Sequence, residues 1–315
     1  MVGSAIRKPP MVQRTEKART MVFIFPIIGS KMANLPGSGV EFSRRLPFMK
    51  RLVPIILPLL GAILALSPVF ASGRAEGAIQ KTWDYADVKT VVVDADRQDV
   101  LVKEGGPKVV GRMLGDTGDE VRVVRTGDTV TLTVRGYRGW FFWRHRSARV
   151  ELSVPPGTDL DMTTASGAVI VQVVPGSLKV RSASGDIEAP RGGASADVDS
   201  TSGTVRLKGF SGPVKASTLS GDLLLETLSG DIQASTLSGN LEGRDLHPAD
   251  RSRFTTVSGD VNLRLQGGSD SYSLQTESVS GSIAVGDHRG QDQLTNGKDG
   301  PLVMVKTVNG DIRVQ

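Results

Sequence analysis

The most constraining feature of this 315-residue chain is a short repeat in its second half. A Ser-Gly or Asn-Gly pair, followed by one small or polar residue and one aliphatic residue, recurs nine times between positions 164 and 312. Self-similarity at a fixed period predicts a repeat architecture in which each unit packs against its neighbours. Six of the repeat glycines lie on a nine-residue grid, and the full set is Gly167, Gly185, Gly203, Gly221, Gly230, Gly239, Gly259, Gly281 and Gly310.

Aliphatic and polar side chains alternate within each unit. Around Gly239, for example, the residues two before and two after are Leu237 and Leu241, whereas the residues one and three after are Asn240 and Glu242. A period of two predicts one β-strand per unit with a glycine turn between strands. We therefore expect the aliphatic positions, including those two before each glycine, to face the core.

A meander of hairpins and a solenoid both fit a nine-residue unit, and the outward charges favour the solenoid. If two units form one coil, residues 18 apart stack on each other, which places Lys179 over Asp197 over Lys215 on one face. The same register places Glu188 over Arg206 on the other face. Alternating signs along a stack are favourable across neighbouring strands. The sequence thus predicts an all-β, flattened β-solenoid (β-helix) of about 18 residues per coil.

The repeat and its flanks divide the chain into segments. We assign 161–315 to the repeat region, 85–160 to an irregular, strand-rich N-terminal cap section and 72–84 to a linker. After Gly243 the glycine spacing loosens, so we expect the insertions at 247–250 and 286–300 to be loops that leave the coil. The chain finishes on a strand-like segment, 308–314, with no capping helix, which leaves end-to-end self-association open.

The N-terminal segment indicates export. Met49-Lys50-Arg51 is followed by an uncharged apolar run, 52–70, and a small residue, Ala71. This pattern is typical of a signal peptide over 49–71 with cleavage after Ala71. The run is also long enough for an uncleaved membrane anchor that leaves 72–315 outside. Residues 1–48 fit no folded domain and are interpreted as a disordered extension or a start-site artefact. The mature chain is then periplasmic, cell-surface or secreted.

The distribution of charge excludes a nucleic-acid partner. Net charge is +5, but residues 1–71 hold 10 basic and 2 acidic side chains, which leaves 28 basic and 31 acidic in 72–315. The basic character therefore belongs to the leader, and the exported part is mildly acidic. Nucleic acid requires a basic surface on the folded domain.

Neither a metal, a cofactor nor a catalytic centre is predicted. The chain has no cysteine, and its three histidines are scattered. A calcium-binding roll needs an acidic residue in nearly every turn, whereas the position after the glycine alternates between residues such as Asp186, Thr204 and Pro213. Outward carboxylates recur as a solvated face without a converging base or cationic group. We predict a non-enzyme, with a carbohydrate-active or calcium-dependent β-helix protein as the alternative.

One segment combines aromatic and basic side chains. Its candidate partner-contact residues are Trp140, Phe141, Phe142, Trp143, Arg144 and Arg146. Such a loop could contact a membrane, a glycan or a partner protein. Alternatively, its aromatic side chains close the N-terminal end of the solenoid, because an open solenoid end must be covered.

Three features together resemble the bacterial putative-adhesin domain family of repeat proteins. They are the Ser-Gly-Asp-(Ile/Leu/Val) phrases, the strand at 150–154 that leads into Pro155-Pro156-Gly157, and the strand-rich section before the repeats. The resemblance covers about residues 85–315. It implies a β-solenoid on an envelope or surface protein, and it implies no catalytic residue, cofactor or defined ligand. We therefore expect an adhesin-like protein whose partner is an unidentified envelope or surface ligand, either protein or glycan.

Overall fold

The computed structural model describes residues 79–115, 119–136, 148–296 and 300–315. These residues are folded almost entirely into β-strands, with one short 3-10 helix at Ser269–Ser271. No helix in the described ranges is long and apolar enough to cross a bilayer. The predicted all-β class is confirmed.

Seven strands precede the regular repeats: β1 (Ile79–Ala86), β2 (Thr90–Ala95), β3 (Asp99–Glu104), β4 (Lys108–Leu114), β5 (Glu120–Thr126), β6 (Thr129–Arg135) and β7 (Arg149–Val154). Strands β6 and β7 form a coil that pairs in parallel with the coil of β2 and β3. Strands β1, β4 and β5 pair antiparallel outside these coils. The section that the sequence assigned to an irregular cap, 85–160, thus contains two regular coils. Strand β1 also extends the folded region into 79–84, which the sequence assigned to a linker.

Parallel coils then follow one another along the chain. Strands of the first sheet are β8 (Asp159–Ser166), β10 (Ser177–Ser184), β12 (Ser195–Ser202), β14 (Val214–Ser220), β17 (Ile232–Ser238) and β19 (Ser252–Ser258). Strands of the second sheet are β9 (Val169–Gln172), β11 (Ile187–Ala189), β13 (Val205–Lys208), β15 (Leu223–Glu226), β18 (Leu241–Pro248) and β20 (Val261–Leu265), with the short β16 (Ser229–Gly230) between the sheets. The coil of β8 and β9 packs on the coil of β2 and β3.

The predicted 18-residue coil is confirmed by the strand register. Lys179 lies opposite Asp197, which lies opposite Lys215, in the first sheet. Glu188 lies opposite Arg206 in the second sheet. The Nζ atom of Lys215 lies 3.9 Å from a carboxylate oxygen of Asp197. Each such exposed pair stabilises the fold by under about 1 kcal/mol, so the pairs set the register more than the stability.

The core lies between the two sheets. Inward side chains of successive coils stack directly, as Val180 does on Val198 in the first sheet and Ile187 on Val205 in the second. These four side chains have no exposed surface. Burying each one contributes roughly 1.5–3 kcal/mol, which makes this stack the main stabilising element.

The last coils are not stacked in chain order. The C-terminal strands are β21 (Ser273–Val285), β22 (His288–Asn296), β23 (Leu302–Asn309) and β24 (Ile312–Val314). Strand β23 lies between β19 and β21, and β24 lies between β20 and β21. Strand β22 pairs antiparallel with β21 and ends the stack.

Three sequence-based expectations about this region are therefore wrong. Most of the predicted loop 286–300 is the hairpin strand β22 (His288–Asn296), and β18 runs through Pro248 into the predicted loop 247–250. The terminal segment 308–314 lies inside the stack instead of at its end.

Candidate binding surface at the first corner

From β8 onward, each coil turns from the first sheet into the second at its Ser-Gly or Asn-Gly pair, and we call this edge of the stack the first corner. Stacked in space, the glycines of the first corner are Gly167, Gly185, Gly203, Gly221, Gly239, Gly259, Gly310 and Gly281. A Cβ atom at Gly203 would overlap the carbonyl oxygen of Gly185, and φ there is +120°. The close approach of stacked coils therefore explains why glycine recurs. Gly230, the ninth predicted turn residue, lies at the opposite corner, against Gly212.

Polar side chains directly after these glycines tie one coil to the next. The carboxylate of Asp222 accepts a hydrogen bond from the backbone N–H of Asn240 at 2.8 Å. The amide oxygen of Asn240 accepts one from the N–H of Asp260 at 3.0 Å, and Asp260 accepts one from Asp311 at 2.8 Å. The sequence predicted only solvated turn residues here. Each of these groups instead satisfies a backbone N–H of the adjacent coil.

Buried hydroxyl groups three residues before the glycines add a second set of contacts. The hydroxyl of Thr236 donates to the carbonyl oxygen of Gly221 at 3.2 Å, and that of Thr256 donates to Gly239 at 3.2 Å. Thr307 repeats the contact to Gly259. Both side chains that flank the turn therefore fix the position of the glycine. The recurrence of Ser or Thr at this position was the signal in the sequence.

The residues two before the glycines form an exposed aliphatic ladder on five successive coils. Its members, with their exposed fractions, are Leu219 (48%), Leu237 (44%), Val257 (37%), Val308 (40%) and Val279 (67%). The prediction that this position faces the core is wrong at the first corner. Alternation is set by the preceding strand, in which the buried Thr236 forces Leu237 outward. At the opposite corner, Phe210 and Leu228 are buried, as predicted, whereas Val174 is 43% exposed.

A row of exposed hydroxyl and amide groups runs beside the aliphatic ladder. Its members immediately precede the glycines and are Ser220, Ser238, Ser258, Asn309 and Ser280. Within the described residues, these side chains make no hydrogen bond to the protein. We call these residues the hydroxyl row. The first corner thus presents parallel apolar and polar stripes at the spacing of β-strands, about 4.8 Å.

Two carboxyl groups in the described ranges have a pKa below the usual value. The Gly136 backbone N–H and the Arg135 guanidinium hold the pKa of the Asp96 carboxyl below its usual value. The pKa of Asp311 is likewise lowered by hydrogen bonds from Ser282. Ionised carboxylates of this kind act as hydrogen-bond acceptors, and a general acid would need a raised pKa. No group of three or more His, Asp or Glu side chains within the described residues is placed to hold a metal.

Several predicted residues lie outside the described part of the chain. These are the signal segment 49–71 with Ala71, and the aromatic and basic side chains Trp140, Phe141, Phe142, Trp143, Arg144 and Arg146. The described residues that bound the aromatic segment lie at the first corner. The backbone N–H of Gly136 donates to the Asp96 carboxylate, and the backbone N–H of Asp99 donates to the Ala148 carbonyl. The Asp96 carbonyl in turn accepts from the N–H of Ala165 in the next coil.

Three solved bacterial structures are similar to this chain. A putative adhesin from Bacteroides fragilis is 11% identical, with 74% of this chain and 95% of that chain covered and a TM-score of 0.46. A putative adhesin from Parabacteroides merdae is 10% identical, with 76% and 97% covered and a TM-score of 0.33. A putative cell adhesion protein from Clostridium sporogenes is 10% identical, with 74% and 97% covered and a TM-score of 0.24.

Comparison by sequence gives a family but no characterised relative. No curated protein matches the chain. The family model of Toastrack DUF4097 matches residues 88–315, from the last residues before β2 to the C-terminal strand. The chain therefore belongs to the Toastrack DUF4097 family.

Proposed function

We propose that this chain is an exported, non-catalytic, adhesin-like β-solenoid that binds a component of the cell envelope or surface through its first corner. The observation that carries the proposal is the aliphatic ladder. Its five residues are 37–67% exposed on adjacent coils, and a contiguous exposed apolar patch on a soluble protein is often functional.

Rigidity of the corner supports a binding role. The ladder residues lie on coils that are joined by backbone hydrogen bonds and by contacts such as Asp222 to Asn240 and Thr236 to Gly221. A surface held in this way loses little conformational entropy when a ligand binds.

A paired substitution tests the binding role. The full chain is purified, and its co-sedimentation with isolated bacterial envelopes is measured for Leu237→Asp and for Val174→Asp. Val174 is the matched control because it is 43% exposed but lies at the opposite corner. We expect Leu237→Asp to lose binding and Val174→Asp to retain it. Equal binding by the two variants would refute a role for the first corner.

Export is the second part of the proposal. The signal segment 49–71 directs the chain out of the cytoplasm, and cleavage after Ala71 releases 72–315 to the periplasm, the surface or the medium. Mass spectrometry of the native N-terminus tests this. A mature chain that begins at Ser72 supports cleavage, an intact 52–70 run in the membrane fraction supports anchoring, and an intact chain in the cytoplasm contradicts export.

The aromatic and basic segment is proposed as a further contact. Its bounding residues, Gly136 and Ala148, lie at the same corner as the aliphatic ladder. Substituting Trp140 and Trp143 by Ala should weaken envelope binding without changing the melting temperature. Unchanged binding with lost stability would instead assign the segment to capping of the solenoid end.

Calcium independence follows from how the corner uses its carboxylates. Asp222 and Asp260 each accept a backbone N–H of the adjacent coil. Residues without a carboxylate, such as Thr204 and Asn240, stand between successive acidic positions. The melting temperature should therefore change by less than about 2 °C between calcium and chelator, because a tightly bound ion would raise it by mass action.

A further inference from the structure

We propose that the aliphatic ladder and the hydroxyl row together bind a linear, uncharged polysaccharide, with one sugar ring on each coil. This inference rests on the proposed binding role of the first corner and names its ligand class. Three properties of the corner lead to it: the spacing of the stripes, their pairing of apolar with hydroxyl groups, and the charge beside them.

The spacing of the corner matches a polymer with a short, fixed repeat. Ladder residues of neighbouring coils, such as Leu219 and Leu237, lie one strand spacing apart, about 4.8 Å. A β-1,4-linked hexopyranose chain advances by nearly this distance per ring. An extended polypeptide advances about 6.6–6.8 Å between side chains on one face, so it falls out of register within a few residues. The corner therefore favours a glycan chain over an extended peptide.

The chemistry of the two stripes matches the two surfaces of a sugar ring. The C–H face of a pyranose is apolar and packs on aliphatic side chains such as Leu237 and Val257, both of which are exposed. Hydroxyl groups at the ring edge then lie beside Ser238 and Ser258, whose side chains make no hydrogen bond within the described residues. A hydroxyl can both donate and accept, which suits the hydroxyls of a sugar.

Charge restricts the ligand to an uncharged polymer. Acidic residues follow the glycines of three ladder coils, at Asp222, Asp260 and Asp311. The lowered pKa of Asp311 keeps that carboxylate ionised at neutral pH. A phosphate-rich polymer or an anionic lipid surface would therefore be repelled on three of the five ladder coils.

A second copy of the chain fits the corner poorly. The ladder is five residues long, whereas a specific protein–protein interface takes about 20–30 residues from each partner. If the two stacks ran antiparallel with their ladders aligned, the central Asp260 would face Asp260 of the second copy, which places two like charges opposite each other. A single glycan chain covers the same apolar surface without placing like charges opposite each other.

Defined oligosaccharides test the inference. Binding of β-1,4-linked glucose and N-acetylglucosamine oligomers of two to six rings to the full chain is measured by calorimetry. We expect at least one series to bind, with affinity that rises with length and levels off near five rings, because the ladder spans five coils. Affinity that is independent of length, or no binding of either series at millimolar concentration, would overturn the proposal.

Matched variants locate the site. Leu237→Ser and Ser238→Ala should each weaken binding of the six-ring oligomer by about tenfold, whereas Val174→Ser should not change it. Both Leu237 and Val174 are more than 40% exposed, so neither Ser variant removes core packing. Equal affinity in Leu237→Ser and the unmodified chain would refute the location.

The outcomes also separate this inference from the proposed function. If Leu237→Asp abolishes envelope binding but no oligosaccharide binds, the binding role stands and the glycan assignment falls. If neither envelopes nor oligosaccharides bind, both fall. A dimer detected by light scattering that dissociates in Leu237→Ser would replace the glycan with a second copy of the chain.

Discussion

Glycine at the first corner meets two separate demands, and four substitutions to alanine distinguish them. Gly203 has a positive φ of +120°, and a Cβ atom there would overlap the Gly185 carbonyl oxygen. Gly221 has the same kind of overlap, with the Gly203 carbonyl, but no positive φ. Gly127 has a φ of +64° in open space, and Gly106 has neither feature. The set therefore varies backbone conformation and close approach independently.

The expected costs follow from this geometry. Alanine at the positive φ of Gly127 should cost about 1–2 kcal/mol. Overlap at Gly221 forces its coil away from the coil of Gly203, where the Gly203 N–H bonds the Ser220 carbonyl at 3.3 Å. Weakening two or three such hydrogen bonds costs about 1–4 kcal/mol. Gly203→Ala meets both demands, so we expect a loss of roughly 3–5 kcal/mol, and Gly106→Ala should be neutral.

Thermal unfolding followed by circular dichroism measures the differences. For a domain of this size, each kcal/mol shifts the melting temperature by about 2–4 °C, so Gly203→Ala should melt roughly 10 °C lower than the unmodified chain. Gly127→Ala should lower it by only a few degrees. If Gly203→Ala and Gly127→Ala melt together, close approach of the coils contributes nothing and the explanation for the glycine column is wrong. If Gly221→Ala is neutral, the overlap is relieved without cost.

Three further predictions concern single polar groups. Asp222→Ala removes the acceptor for the Asn240 N–H at 2.8 Å and should lower the free energy of unfolding in urea by about 1 kcal/mol, whereas Asp222→Asn keeps an acceptor and should lower it less. The pKa of Asp311 is lowered from 3.8 in the folded protein. The ionised Asp311 side chain therefore stabilises the fold fully above pH 3.8, and this contribution is lost as pH falls through the folded-state pKa. The melting temperature of Asp311→Asn should depend less on pH below about pH 4 than that of the unmodified chain. Burial raises the pKa of the Tyr272 hydroxyl above 10.0. The neutral Tyr272 side chain therefore stabilises the fold, and this contribution is lost as pH rises through the higher folded-state pKa. Phenolate absorbance should show one tyrosine that ionises at higher pH than the others, and Tyr272→Phe should remove it.

The coil could be predicted from the sequence because charges and aliphatic residues at regularly spaced positions determine its register. Charges 18 residues apart, such as Lys179, Asp197 and Lys215, alternate only if two nine-residue units form one coil, and the strand pairs have this register. Every unit repeats the same information, so one slip at Gly193 does not obscure it.

The direction of the aliphatic ladder could not be predicted from spacing alone. Counting from the glycine places Leu219 and Leu228 at equivalent positions, two residues before Gly221 and Gly230. Leu219 is 48% exposed and Leu228 only 1%, because the two corners interrupt the alternation differently. At the first corner the strand continues through the serine and keeps its phase, so the residue after the buried Thr218 points outward. A nine-residue repeat hides this difference, since only the 18-residue coil distinguishes the two corners.

The order of the coils at each end was also hidden, because it depends on pairings between residues far apart in the chain. Ser258 lies opposite Asn309, and Asp99 lies opposite Arg149. Nothing in the local pattern of β23 distinguishes an inner coil from a terminal one. A contact of this kind can be seen only once the strands are placed in space.

The outermost strands of the stack affect how the molecule can associate with another chain. Within the described residues, the outermost strands are β22 at one end and β1 and β5 at the other, and all three pair antiparallel with a single neighbour. These edges carry charged side chains, such as Arg289 and Asp292 on β22 and Arg122 on β5. Charges on an edge strand disfavour addition of a further strand. The charged edge strands therefore do not favour the end-to-end association that the sequence left open. The apolar surface offered to a partner runs along the side of the stack.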